Sequence, residues 1–146
     1  MTDKRAILEA AMEIEFLALA NHAEAVNGLL YLTGVGWNEV SVNAPADQPI
    51  LHHFGIGVSI LVGWNDTNRP IPVELRLEGE DGQLELAKVE GEVNVGRAPT
   101  VKPGSDQRAV LALNINTQFP TRGGYRVVCR VNRDDQKMRS YSFVVK

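Results

Sequence analysis

The chain has 146 residues, 44% of them hydrophobic and 23% charged, with a formal net charge of -3. That is the size of one ordinary domain with apolar residues enough for its own core, which excludes a disordered or fibrous chain. Charges of both signs are interspersed, so no basic stripe offers a footprint for nucleic acid, and no apolar run of about 18 residues offers a membrane span.

Residues 1–26 fit two templates. Leu8, Met12, Phe16, Leu19, Ala23 and Val26 fall at helical spacing, whereas Ile14, Phe16, Ala18 and Ala20 alternate as one face of a strand. Asn27-Gly28 decides between them. Both residues tolerate positive φ and suit a type I′ turn, which needs strands on either side. The spacing therefore predicts a helix or tail over 2–11, a strand over 13–20, and a hairpin pairing 13–26 with 29–42.

Residues 44–49 hold two prolines and form a loop. Over 52–62 a strand carries Phe54, Ile56, Val58 and Ile60 on one face and the nearly bare Gly55, Gly57 and Ser59 on the other. A bare face invites close approach, and a second copy of the chain is the expected cover, with the 2–11 helix as the other candidate. Residues 65–68 make a polar turn after Trp64. Over 71–78, Ile71, Val73, Leu75 and Leu77 alternate with Glu74, Arg76 and Glu78, the pattern of a half-buried antiparallel strand. Residues 79–82 reverse the chain into an edge segment over 84–95, and 96–107 form a long loop with Pro99, Pro103 and Gly104. Strands follow over 108–116, 125–131 and 138–145. Tyr125, after a Gly-Gly corner, is placed as the tyrosine of a tyrosine corner, whose phenol ties strand to loop. The sum is an all-β fold: an immunoglobulin-like antiparallel β-sandwich of about eight strands, with residues 1–12 as an extension and 13–146 as the domain.

The segments Phe16-Leu17-Ala18-Leu19-Ala20, Ala23-Glu24-Ala25-Val26-Asn27-Gly28, Leu30-Tyr31-Leu32 and Gly34-Val35-Gly36-Trp37 resemble the opening of a family of small bacterial proteins of unknown function. The Gly124-Tyr125 strand and the closing hairpin are similar too. The resemblance implies a β-sandwich and a strand at 13–20, and it carries over no catalytic residue.

Chemistry is thinly represented. His52 and His53 are neighbours and point to opposite faces of a strand, so they cannot chelate one ion, and His22 and Asp47 complete no metal-ligand spacing. Gly34-x-Gly36 precedes strand rather than helix and is not a phosphate-binding turn. The serines form no nucleophile elbow. Cys129, the only cysteine, lies between Val127 and Val131 on an apolar face, where a thiol behaves as a small hydrophobe. A lone thiol also suits a reducing compartment, and Glu9, Glu13 and Glu15 follow Lys4 and Arg5 where a signal peptide would be apolar, so cytoplasmic placement is expected.

The expected function is therefore non-enzymatic: a protein-interaction or assembly subunit, its partner another protein or a second copy, with no cofactor, nucleic acid or membrane. The alternative is a small-ligand module, for a carbohydrate for example, built on loop-end residues: Trp37, His53, Trp64, Asn65 and Asp66. Packing is the expected role of at least one of the two tryptophans. An enzyme without a visible motif is the least supported reading.

Overall fold

The computed structural model describes residues 12–45 and 47–146, so the helix expected over 2–11 lies outside the described residues. Ten strands follow in chain order: β1 (Glu13–Ala20), β2 (His22–Val26), β3 (Leu29–Thr33), β4 (Glu39–Val40), β5 (Ile50–Val62), β6 (Pro70–Gly79), β7 (Glu85–Asn94), β8 (Gln107–Phe119), β9 (Gly123–Val131) and β10 (Met138–Val145). They form a sandwich in which a sheet of order β1-β5-β8 packs on one of order β4-β10-β9-β6-β7. All pairings are antiparallel except the short β4 beside β10. The strands beyond the expected eight come from the segment before residue 41, which is cut more finely than alternation suggests.

The Asn-Gly turn forms, with Asn27 at φ 51° and Gly28 at φ 77°. Its arms are shorter than expected, however. Only β2 and β3 pair, from His22↔Thr33 to Val26↔Leu29, while β1 joins β5 from Glu13↔Leu61 to Ala20↔Gly55. A bulge between Ile14 and Phe16 also shifts the faces of β1. Ile14, opposite Ile60, therefore points inward with Leu17 and Leu19, and Phe16 turns outward.

The other registers follow the alternation. Phe54, Ile56, Val58 and Ile60 of β5, Ile71, Val73, Leu75 and Leu77 of β6, and Tyr125, Val127, Cys129 and Val131 of β9 are buried between the sheets with Phe143 and Val145. Glu74 and Glu78 lie on the outer face as expected, but they are nearly buried there rather than solvated. Arg130 and Arg126 on the neighbouring strand close over them, each with an N–O distance of 2.7 Å. The Tyr125 hydroxyl donates to the Thr121 carbonyl at 2.6 Å and ties β9 to the corner before it.

The bare face of β5 is covered by the chain itself. The β2–β3 hairpin lies across β5 and β8 with Ala23, Leu30 and Leu32 facing down. A Cβ added at Gly57 would stand 2.6 Å from Leu32 Cδ2, and one at Gly55 would stand 2.6 Å from the Ala23 backbone nitrogen. Asn114 of β8 fixes the hairpin by accepting from Ala23 N at 3.0 Å and donating to Ala23 O at 2.7 Å. Two glycines thus leave room on this face for the hairpin that precedes β5 in sequence.

Candidate interaction surface

The residues proposed for a ligand site divide between the two ends of β5. Trp37, in the link from β3 to β4, packs edge-on against Phe54 and Phe143, with centroid distances of 6.0 and 5.7 Å. Its carbonyl accepts from the Tyr141 hydroxyl at 2.7 Å, so it completes an aromatic cluster at one end of the core. Trp64 lies past the other end of β5. From Phe54 to Val62 alone the strand advances roughly 26 Å at about 3.3 Å per residue, so no single ligand spans both indoles.

Nor is Trp64 an open platform. The Arg97 guanidinium lies over its ring at 3.9 Å, held by bonds from Nε to Thr67 Oγ1 at 2.6 Å and from Nη2 to the Trp64 carbonyl. Thr67 Oγ1 donates to the same carbonyl at 2.7 Å, and Asp66 pairs with Arg69 at 2.8 Å. Asn65 is exposed beside them. This turn satisfies itself and covers its aromatic face.

His53 stands with Trp37's end of β5 but on the opposite face. Its Nδ1 lies 2.8 Å from Asn116 Oδ1 and its ring stacks on His22 at 6.4 Å, while His22 Nε2 is 3.1 Å from Glu24 Oε1. His52 faces the other way, edge to face with Trp37 at 6.4 Å and stacked near Phe54 at 6.1 Å. Burial, and then repulsion from His53, holds the His52 imidazole below its ordinary pKa. Among the described residues no three His, Cys, Asp or Glu side chains gather as a metal site. Burial pushes the Cys129 thiol up to about 12, which removes it as a nucleophile near neutral pH.

The surface that remains is the upper side of the hairpin. In an antiparallel pair, residues directly opposite share a face, so Val26 with Leu29 and Glu24 with Tyr31 point away from the sheet beneath, while His22 at the base of the hairpin stacks on His53. Val26, Leu29 and Tyr31 are exposed to 45, 60 and 53%. They are close neighbours on two short strands and form an apolar step, whereas the outer face of β6 and β9 carries the ion pairs of Glu74 with Arg130 and Glu78 with Arg126. None of the three was singled out from the sequence. The turn at Asn27-Gly28 fixes which residues share a face, but not which of the two faces docks.

Residues 15–146 match a family of unknown function (DUF6941). The chain belongs to this family. No curated protein matches it. The DUF6941 match begins in β1 and runs through β10, so it takes in both sheets and the hairpin. A family of unknown function is what the Gly34-Val35-Gly36-Trp37 segment and its surroundings resemble. Within that DUF6941 span Gly34 sits at φ 76°, and a Cβ there would collide with the Asn21 side-chain amide, so this glycine closes the base of the hairpin.

Proposed function

We propose that the protein works without catalysis, as a domain that binds another protein through the outward face of the β2–β3 hairpin. The observation that carries this is the exposure of Val26, Leu29 and Tyr31 together on one face. A raised aromatic and aliphatic step is the kind of surface that a partner desolvates, with Tyr31 supplying a rigid anchor. The sandwich is the support: β5 and β8 hold the hairpin from below, and the Asn114 bonds to Ala23 prevent it from sliding. The sheet order and the Tyr125–Thr121 bond support an immunoglobulin-like arrangement for residues 13–146. The lone buried thiol supports a reducing, cytoplasmic setting, and the partner is a protein rather than a cofactor, nucleic acid or lipid. No helix among the described residues is long and apolar enough to cross a membrane.

The test is quantitative capture from extracts of the source cells with wild-type protein and with a Leu29→Asp/Tyr31→Asp variant. Both side chains point to solvent, so the variant keeps its fold and its melting temperature. Partners bound through the hairpin should fall by about tenfold or more, since buried aromatic anchors are commonly worth upwards of 2 kcal/mol. Identical partner sets at identical levels from a folded variant would overturn the assignment.

A further inference from the structure

A sandwich of three strands against five leaves two sheet edges on each side, and natural proteins blunt such edges with charge, proline, bulges or shortness. Three of the four edges here are treated in that way. β1 carries a bulge with Glu13 and Glu15, β4 is two residues long, and β7 bears Glu85, Lys88, Glu90 and Glu92. Beyond Arg108 near its start, β8 has none of these devices. Residues 109–119 contain no charge, no proline and no glycine, and among the described residues no strand pairs with the side of β8 away from β5.

The layer beneath that edge is unfinished in the same place. Ala109, Leu111, Leu113 and Ile115 face inward, opposite Ile60, Val58, Ile56 and Phe54, yet all four are only half-buried. On the facing sheet Val89 pairs with Leu75 and so points inward, but it is 42% exposed. Between them lies an apolar slot of about 120 Å³ lined by Val73, Leu75, Val89, Val93 and Leu111. Gly91 opens on it as well, and a Cβ built there meets nothing within 4 Å. Beside β8 there is accordingly room for one more strand, with a socket for its side chains.

We propose that an extended segment of another protein, apolar at alternate residues and basic at its flanks, adds to the free edge of β8 and fills this slot. Main-chain bonding to β8 supplies the pairing, and inward side chains of the segment complete the layer over Val89 and Leu111. Glu92, exposed on β7, lines the mouth of the slot and selects a basic flanking residue. The charges of β7 also argue against a second copy as the occupant. Pairing β8 with β8 of another molecule would bring two β7 strands, each with three glutamates and one lysine, into one space. The inference shares with the hairpin reading only the premise that the domain binds proteins.

The probe is a blocked nonapeptide of alternating valine and threonine with lysine at each end, tested against its counterpart with glutamate at each end. Hydrogen exchange at alternate amides across 109–117 should slow by about tenfold or more with the lysine peptide, because opening then requires its release. The glutamate peptide should bind at least about tenfold more weakly at low salt, and Gly91→Leu, which fills the slot from within, should weaken the lysine peptide by a similar factor while remaining folded. The Leu29→Asp/Tyr31→Asp variant should bind the peptide as wild type does, so failure of the hairpin reading leaves this result standing, and the converse. Unslowed exchange at millimolar lysine peptide, equal affinity for the two peptides, or full affinity in a folded Gly91→Leu would overturn the proposal. So would slowing of β8 exchange by raised protein concentration alone, which would identify a second copy as the occupant.

Discussion

Replacing Gly55 with alanine separates the hairpin from the sandwich without touching the core. The backbone at Gly55 lies outside the left-handed region, so contact alone opposes the substitution. The new Cβ would stand 2.6 Å from Ala23 N, 2.8 Å from His22 C and 2.9 Å from Asn114 Oδ1, and the first two are backbone atoms that move only if β2 moves. Overpacking of this kind costs about 1–3 kcal/mol. A ceiling comes from undocking: the two Asn114 bonds contribute about 0.5–1.5 kcal/mol each, and uncovering Ala23, Leu30 and Leu32 adds to that. The expected loss is about 2–3 kcal/mol, or a urea midpoint lower by about 1–2 M for a slope near 1.5 kcal/mol/M. Gly57→Ala is the control. Its Cβ would meet Leu32 Cδ2 at 2.6 Å and Leu30 Cδ2 at 3.1 Å, both ends of flexible side chains, so it should cost less. Native-state hydrogen exchange should show amides of 22–33 in Gly55→Ala opening freely while those of β5, β6 and β9 stay protected. An unchanged midpoint and hairpin exchange, or a larger effect at Gly57 than at Gly55, would refute the account of why this face is bare.

Cys129 should resist a thiol reagent in the native protein near neutral pH and react on unfolding, because burial holds its pKa at about 12; rapid native labelling would contradict this. Leu75→Ala should cost about 2–5 kcal/mol by urea unfolding, and the low end is expected because Leu75 borders an open slot. Arg126→Ala should cost about 1–3 kcal/mol by leaving the buried Glu78 carboxylate without its partner, and adding Glu78→Gln should restore part of that loss; no recovery would mean that packing of the arginine stem dominates. His52 has a folded pKa below the ordinary 6.5, so as pH falls the unfolded chain takes up the proton first. Its contribution is intact above about pH 7 and is lost on descending through 6.5, and His52→Phe should flatten the urea midpoint between about pH 7 and pH 5.

The inward registers of β5, β6 and β9 could be read from the sequence because period-two alternation is sharp there: a one-residue slip would bury Glu74 in the core and expose Val73. β1 was legible as a strand but not in its faces, since the bulge at Glu15 moves Ile14 to the side of Leu17 and Leu19, and nothing local announces a bulge. The Asn-Gly turn named the hairpin but could not give the length of its arms, which is set by where the chain finds β5. The glycines of β5 announced a close approach, but not by what. Site prediction fared worst, because Trp37 and Trp64 were joined on chemical type alone. The 13-residue run of β5 keeps them at opposite ends, and Arg97, 33 positions from Trp64, closes the face that looked free. The burial of Glu74 and Glu78 depends in the same way on arginines from a strand distant in sequence.

The base of the hairpin has a bearing on how the surface above it can change over time. Asn21 N donates to Thr33 O at 2.8 Å and to Gly34 O at 3.2 Å, so the chain leaves the sandwich and returns to it at almost the same point. Everything between those anchors, residues 22–33, is a cassette. Its down-facing side chains answer to Gly55, Gly57 and Asn114, while Val26, Leu29 and Tyr31 on the upper side point to solvent. Substitutions at Glu24, Val26, Leu29 and Tyr31, or a longer tip at Asn27-Gly28, can therefore be explored at little cost to folding. Family members that keep the stem and the two glycines can diverge in what they recognise, and the same stem offers a graft site for foreign binding loops.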